Sequence, residues 1–215
     1  IAEQQIGFID VPGHVRFLRN MLAGIGGIDA CMFVVAANEG WKPQTEEHLR
    51  ILDALGITRG VIVLTKTDLV DADALALTLD SVHRHVRSTF LEAAPVVQVS
   101  VHNSATLDTL RNTLSNLIAS LPPVINTHQP RIWVDRSFAA KGSGTVITGT
   151  LTGSPLSIGD ELMVQPTNVA VKVRGIQSNG ISLEKLEAGN RCALNITGVD
   201  HSDINRGDVL VAEGQ

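Results

Sequence analysis

The rhythm of apolar positions changes once along this chain. Over roughly the first 121 residues, short continuous apolar runs alternate with stretches whose apolar residues recur every three or four positions. Ile6-Gly7-Phe8-Ile9 reads as a strand. Phe17, Leu18, Met21, Leu22 and Ile25 follow at helical spacing. Ala30 to Ala37 is unbroken and apolar, as expected of a strand covered on both faces. Pro43 suits a first helical turn, Leu49, Leu52 and Leu55 line one face, and Gly56 suits the helix end. Val61 to Leu64 is a further buried strand. Leu75, Leu79, Val82, Val86 and Phe90 mark a long helix, and Val96 to Val99 another strand. Thr106 is placed to cap a last helix carrying Leu107, Leu110, Leu114, Leu117 and Leu121. Strands alternating with helices predict an α/β fold with a doubly wound, mostly parallel sheet.

After Leu121-Pro122-Pro123 the helical period disappears. Short β-branched runs replace it at 132–134, 146–151, 161–164, 169–173, 193–197 and 209–211, separated by turns such as Gly159-Asp160 and Gly207-Asp208. This spacing predicts a small antiparallel β-barrel. The expected organisation is an α/β domain over 1–122, a linker over 123–130 and a barrel over 131–215.

Composition narrows the class. The chain has 215 residues, 44% of them hydrophobic and 18% charged, enough for real cores and too apolar for global disorder. A net charge of −5 argues against a protein that coats nucleic acid, though not against a local basic site. Cys31 and Cys192 sit in apolar runs and read as core thiols of a reducing compartment. With no membrane-length apolar run and no signal peptide in view, a cytoplasmic protein is the expectation, with no membrane partner. His48, His83, His85, His128 and His201 are scattered without metal-ligand spacing.

In a doubly wound sheet, ligands sit at the carboxyl ends of the strands, and three polar segments occupy such places. In Asp10-Val11-Pro12-Gly13-His14, Asp10 can hold a magnesium ion through water, and Gly13 can bring its N–H up to a terminal phosphate. In Thr65-Lys66-Thr67-Asp68, the carboxylate of Asp68 can accept from both N1–H and the 2-amino group of guanine, donors that adenine lacks. The aliphatic stem of Lys66 can lie over the base. At Ser100-Val101, backbone N–H groups can meet the guanine O6. Each segment alone is a weak signal; three in this order on successive strands is a strong one.

The residues around them extend the pattern. Asp10 to His14, Asn20-Met21, Gly27 to Ala30, Val34 to Ala37 and Pro43-Gln44-Thr45 with His48-Leu49 together resemble the elongation factor Tu class of translational GTPases. Within that class, Leu22 to Asp29, Thr65 to Val70, Asp135-Arg136-Ser137-Phe138, Lys141 to Thr150, Val173 to Gln177 and Gly189 to Asn195 are similar to the selenocysteine-specific branch, SelB. The resemblance implies binding of GTP/GDP and Mg2+, with selenocysteyl-tRNA and the ribosome as partners. It also implies contact with an mRNA recoding element through a domain absent here, and GTP hydrolysis when the tRNA is delivered at a recoded UGA codon. It gives His14 the catalytic role of orienting the attacking water. Asp10, Gly13, Thr65, Lys66, Asp68, Ser100 and Val101 become nucleotide-binding residues, Val101 standing where the family usually has alanine. Arg136 and Arg191 become the cationic lining of an aminoacyl pocket. A selenol is largely ionised at neutral pH, so such a pocket favours it over a serine hydroxyl.

No G-x-x-x-x-G-K-[ST] loop occurs in the sequence, and strand-like text begins almost at Ile1. The chain is therefore expected to be a fragment of a GTPase that by itself binds GTP poorly. Gly142-Ser143-Gly144 lacks the following Lys-Ser/Thr and reads as a barrel turn. Two alternatives stay open: a general aminoacyl-tRNA carrier resembling elongation factor Tu or an initiation-factor γ subunit, and a degenerate G domain that binds a partner without hydrolysis.

Overall fold

The computed structural model describes residues 6–10, 28–123, 126–142 and 144–214. Two compact units separate within it; of the described residues, the first holds Ile6 and residues 28–122, and the second holds residues 7–10 and the described residues from 123 to 214.

The first unit is a parallel sheet in the order β1 (Cys31–Ala36), β2 (Gly60–Thr65), β3 (Val96–Gln98). Its helices are α1 (Pro43–Ala54), α2 (Ala72–His85) and α3 (Ser104–Ala119). The strands read as continuous apolar runs because both faces are covered. On one face Phe33, Val35, Ile62 and Leu64 pack with Leu49 of α1 and Val82 of α2. On the other, Val61, Val63, Val97 and Val99 meet Leu107, Leu110, Leu114 and Leu117 of α3. This is the doubly wound arrangement that the alternation predicts.

Helix ends follow local chemistry. Pro43 opens α1, where no N–H is needed. Gly56 follows its end at φ +74°, a left-handed position that glycine adopts without a Cβ penalty. Asp71 caps α2 through its side chain to Ala74 N.

Three expectations need correction. Residues 6–10 form no strand, and Phe8 is 65% exposed. A short apolar run becomes a strand only when a neighbour takes up its backbone groups, and among the described residues β1 pairs with β2 alone. The cap of α3 is Asn103, not Thr106: Asn103 accepts from Ala105 N, while the Thr106 hydroxyl donates to Asn103 O and Ser100 O. The long helix ends at His85, and Phe90 packs from the following turns. The helix expected around Phe17 to Ile25 lies outside the described residues.

The second unit contains β4 (Arg131–Ala140), β5 (Gly144–Thr152), β6 (Leu156–Ser157), β7 (Glu161–Gln165), β8 (Val169–Ser178), β9 (Ile181–Leu183), β10 (Lys185–Leu186), β11 (Arg191–Thr197) and β12 (Val209–Val211). The order β11-β5-β4-β12-β7-β8, with β8 pairing back onto β11, closes an antiparallel barrel. Ile132, Val134, Ile147, Leu151, Val164 and Leu194, each 0% exposed, fill it. The alternation along β4 is the period-2 signature of one wet and one dry face.

β4 bulges once. Val134 lies opposite Gly149 and Arg136 opposite Thr148, so Asp135 is the extra residue.

Both cysteines are reduced and packed as expected: Cys192 is buried in the barrel core, and Cys31 lies against the sheet core. Burial pushes each thiol up to about 12. A thiol that high carries almost no thiolate at pH 8. Both are expected to resist a thiol-specific disulfide reagent at that pH in the folded protein and to react fully in denaturant. Rapid native labelling of either would contradict the packing.

Candidate nucleotide and aminoacyl sites

The first site forms where β2 and β3 end. Thr65 closes β2, with its hydroxyl 3.5 Å from Val35 O. Lys66 then adopts a left-handed conformation (φ 56°), turning the chain into a short 3-10 segment, Thr67–Leu69. Thr67 N–H donates to Val99 O at 3.4 Å, tying this loop to the end of β3. Asp68 therefore stands beside the Ser100 loop, exposed to solvent.

Ser100 is 5% exposed and holds the cluster together. Its hydroxyl donates to the Asp68 carboxylate and accepts from His102 N–H at 3.2 Å, while its backbone N–H donates to Thr106 Oγ1 at 3.1 Å. The Ser100 hydrogen bond is the main reason the Asp68 carboxyl lies below its ordinary range; its own backbone N–H and the charge of His102 add to it. Asp68 is thus an exposed acceptor whose ionised form is favoured at the end of β2. Lys66 Nζ lies 3.2 Å from Glu39 Oε1, both half-exposed, which anchors the lysine stem beside the loop. Val101 is 77% exposed at the turn.

The structure brings Thr65, Lys66, Asp68 and Ser100 together, from the second and third of the three segments. Asp10 is exposed at the end of the irregular segment 6–10. Gly13 and His14 lie outside the described residues. Glu39 was missed because nothing in its local sequence marks it as a partner of a lysine across the sheet end. His85, which carries no ligand spacing, stacks on Trp41 with ring centroids 4.6 Å apart.

The second cluster is on the barrel. Arg191 opens β11, and its Nη1 lies 2.6 Å from Asp135 Oδ2. The other oxygen, Oδ1, accepts from Thr148 Oγ1 at 2.5 Å. The bulge makes this possible by turning Asp135 toward its neighbours on β5 and β11. Arg206 Nε also donates to Asp135 O at 2.8 Å. Arg191 is therefore a pinned cation with part of its guanidinium still exposed. Arg136 is exposed and has no ion-pair partner among the described residues. Sequence reasoning named the two arginines and missed Asp135. The signal was in the text, an aspartate directly before Arg136, but the bulge that aims it is not.

Among the described residues no group of three His, Cys, Asp or Glu is placed to hold a metal ion, and no helix is long and apolar enough to cross a membrane.

Residues 1–120 match the family model of the elongation factor Tu GTP binding domain. The selenocysteine-specific elongation factor of Desulfomicrobium baculatum is 43% identical over 97% of this chain, and that of Escherichia coli 39% identical over 96%. The chain spans about a third of the length of these relatives, 33% and 34% respectively. The solved elongation factor SelB of Methanococcus maripaludis, in complex with the GTP analogue GppNHp, superposes with a TM-score of 0.88 at 33% identity. That match covers 96% of this chain and 46% of the other. The chain belongs to the elongation factor Tu family of GTP-binding translation factors, with selenocysteine-specific elongation factors as its relatives.

Proposed function

We propose that the protein is a GTP-dependent carrier of selenocysteyl-tRNA that delivers its cargo to the ribosome at recoded UGA codons and hydrolyses GTP there. In this reading residues 1–122 serve the nucleotide, 123–130 link, and 131–215 form one wall of the aminoacyl pocket. The observation that carries the reading is the pinned Arg191–Asp135 pair beside Arg136, which has no ion-pair partner among the described residues, in a chain that also carries a guanine-type loop at Asp68.

Asp68 accepts from guanine N1–H and the 2-amino group, the Lys66 stem lies along the base, and the Ser100-Val101 turn supports O6. Gly13 gives an N–H to the γ-phosphate. His14 orients the attacking water, the part that glutamine plays in other GTPases. Asp10 suits Mg2+, which is usually held by one or two carboxylates together with phosphate oxygens and water. The ion, when bound, offsets charge on the phosphates. On the barrel, Arg191 and Arg136 attract a selenolate, and Asp135 keeps Arg191 aimed while limiting its pull on a neutral serine hydroxyl.

Competition between selenocysteine- and serine-charged tRNA for the intact, GTP-loaded protein tests this. The expected outcome is a preference for selenocysteine of at least about ten-fold, reduced in Arg191→Gln, since a charge-assisted contact is worth roughly 1.5–3 kcal/mol. Equal affinities would support a general aminoacyl-tRNA carrier instead.

A further inference from the structure

The Ser100 loop is held by a residue outside the polar segments. β3 stops at Gln98, and the sheet follows the chain for one residue more. Val99 N–H donates to Leu64 O at 2.7 Å, and Val99 O accepts from Thr67 N–H at 3.4 Å. Ser100 comes next and is buried, so its backbone N–H needs a partner other than bulk water. Thr106, in the first turn of α3, provides it. Its Oγ1 accepts from Ser100 N–H at 3.1 Å, and its own proton is shared between Asn103 O at 2.7 Å and Ser100 O at 3.1 Å. One hydroxyl thus ties both backbone groups of Ser100 to the start of the helix.

Capping of α3 does not need this hydroxyl, because Asn103 already accepts from Ala105 N–H. Packing alone would be served by valine, which has nearly the same shape. What the hydroxyl decides is which polar groups of the turn are left over. Ser100 N–H goes to Thr106, and His102 N–H goes to Ser100 Oγ at 3.2 Å. Val101 N–H is then without a hydrogen-bond partner among the described residues. The Ser100 side chain swings on a single staggered torsion, so a backbone fixed at both groups limits where its hydroxyl can reach. That hydroxyl donates to the Asp68 carboxylate.

We infer that Thr106 is a positioning residue for base selection: by holding Ser100 at both its N–H and its carbonyl, it sets the direction from which the Ser100 hydroxyl orients Asp68. Thr106 acts through Ser100 and not by contact with the base. The role rests on the reading above, in which Asp68 accepts from guanine. It predicts that a hydroxyl on a helix, six residues beyond Ser100, tunes discrimination between purines.

The test compares the affinities of the intact protein for guanosine and inosine diphosphate. The two bases share N1–H and O6 and differ in the 2-amino group, so their ratio reports how well the Asp68 carboxylate reaches both donors. Thr106→Val removes the hydroxyl and keeps the shape. It is expected to weaken guanosine diphosphate about five-fold and inosine diphosphate only about two-fold, the scale of one misaligned neutral hydrogen bond. Thr106→Ser is expected to restore the parent ratio. Asn103→Ala, which removes the cap, is expected to lower Tm and leave the ratio unchanged. A Thr106→Val protein with the parent ratio, or a loss that Thr106→Ser does not repair, overturns the inference. Amide exchange in the nucleotide-free parent gives a second reading that needs no variant to fold. After correction for intrinsic rates, the Ser100 N–H is expected to exchange at least about ten-fold more slowly than that of Val101. Equal exchange of the two would mean that Thr106 does not hold Ser100, and overturns the inference as well. Asp68→Asn separates this role from the base assignment. If Asp68→Asn shifts preference to xanthine while Thr106→Val changes nothing, the base site stands and the positioning role falls. If Asp68→Asn keeps the guanine preference, the base site falls and the positioning role falls with it.

Discussion

Replacing Asp68 with alanine is expected to lower the affinity of the intact protein for guanine nucleotides by a hundred-fold or more. In the proposed base site the carboxylate would offer two charge-assisted acceptor contacts, each worth roughly 1.5–3 kcal/mol, and alanine removes both. Asp68→Asn is the more informative change. An amide presents one acceptor and one donor, which clashes with the two donors of guanine and matches the N1–H and 2-oxo edge of xanthine. The expected result is a reversal, xanthine nucleotide bound more tightly than guanine nucleotide. An Asp68→Asn protein that keeps its guanine preference would remove Asp68 from the base site. The pH dependence follows from the direction of the Asp68 shift. Its carboxyl is held below the ordinary aspartate range, chiefly by the Ser100 hydroxyl. A depressed carboxyl contributes above that range and is lost only as pH falls through the lowered value. Guanine binding should therefore be flat between pH 7 and 5. Ser100→Ala should move the acid loss upward, toward the ordinary range, while leaving neutral-pH binding only modestly weaker.

The polar loop at the end of β2 was legible because its chemistry is local. Thr65 to Asp68 follows an apolar run that could only be a buried strand, and a polar loop at that end of a parallel sheet has few other uses. The two helix-bearing faces were legible for the same reason, since Leu107, Leu110, Leu114 and Leu117 declare their own periodicity. What stayed hidden depended on partners distant in sequence. Residues 6–9 have the composition of a strand, but composition cannot supply the neighbour that a ladder requires. Thr106 looks like a cap, yet Asn103 is better placed to reach the N–H of Ala105, and the threonine hydroxyl serves the Ser100 loop instead. Asp135 was unreadable as a partner of Arg191 because the two are 56 residues apart in the numbering and joined only through a bulge.

The bulge also explains a glycine that no turn requires. Gly149 lies mid-strand on β5, opposite Val134 and just before the register shift. A Cβ placed on it would sit 2.3 Å from Trp133 O and 2.8 Å from Ile132 Cγ2. The first is backbone, and Ile132 is 0% exposed in the packed core, so neither can move aside cheaply. Gly149→Ala must push β4 away from β5 at the point where the bulge aims Asp135. Such overpacking costs typically 1–3 kcal/mol, and contact with a fixed backbone oxygen puts this case at about 3 kcal/mol or above. For a unit of this size that is a fall in Tm of ~10 °C or more. Gly175 on β8 is the control. There the nearest atom to an added Cβ is Asn195 Cβ at 3.7 Å, ordinary contact, so Gly175→Ala should change the barrel's Tm by no more than a few degrees. A Gly149→Ala barrel as stable as the Gly175→Ala one would mean that β4 and β5 are not held this closely. The same displacement should loosen the Arg191–Asp135 pair. A Gly149→Ala protein that remains folded at low temperature should therefore lose preference for selenocysteine-charged tRNA while keeping its guanine nucleotide affinity, because Asp68 and Ser100 belong to the other compact unit. Parallel loss of both would show that the barrel's strain reaches the nucleotide loop.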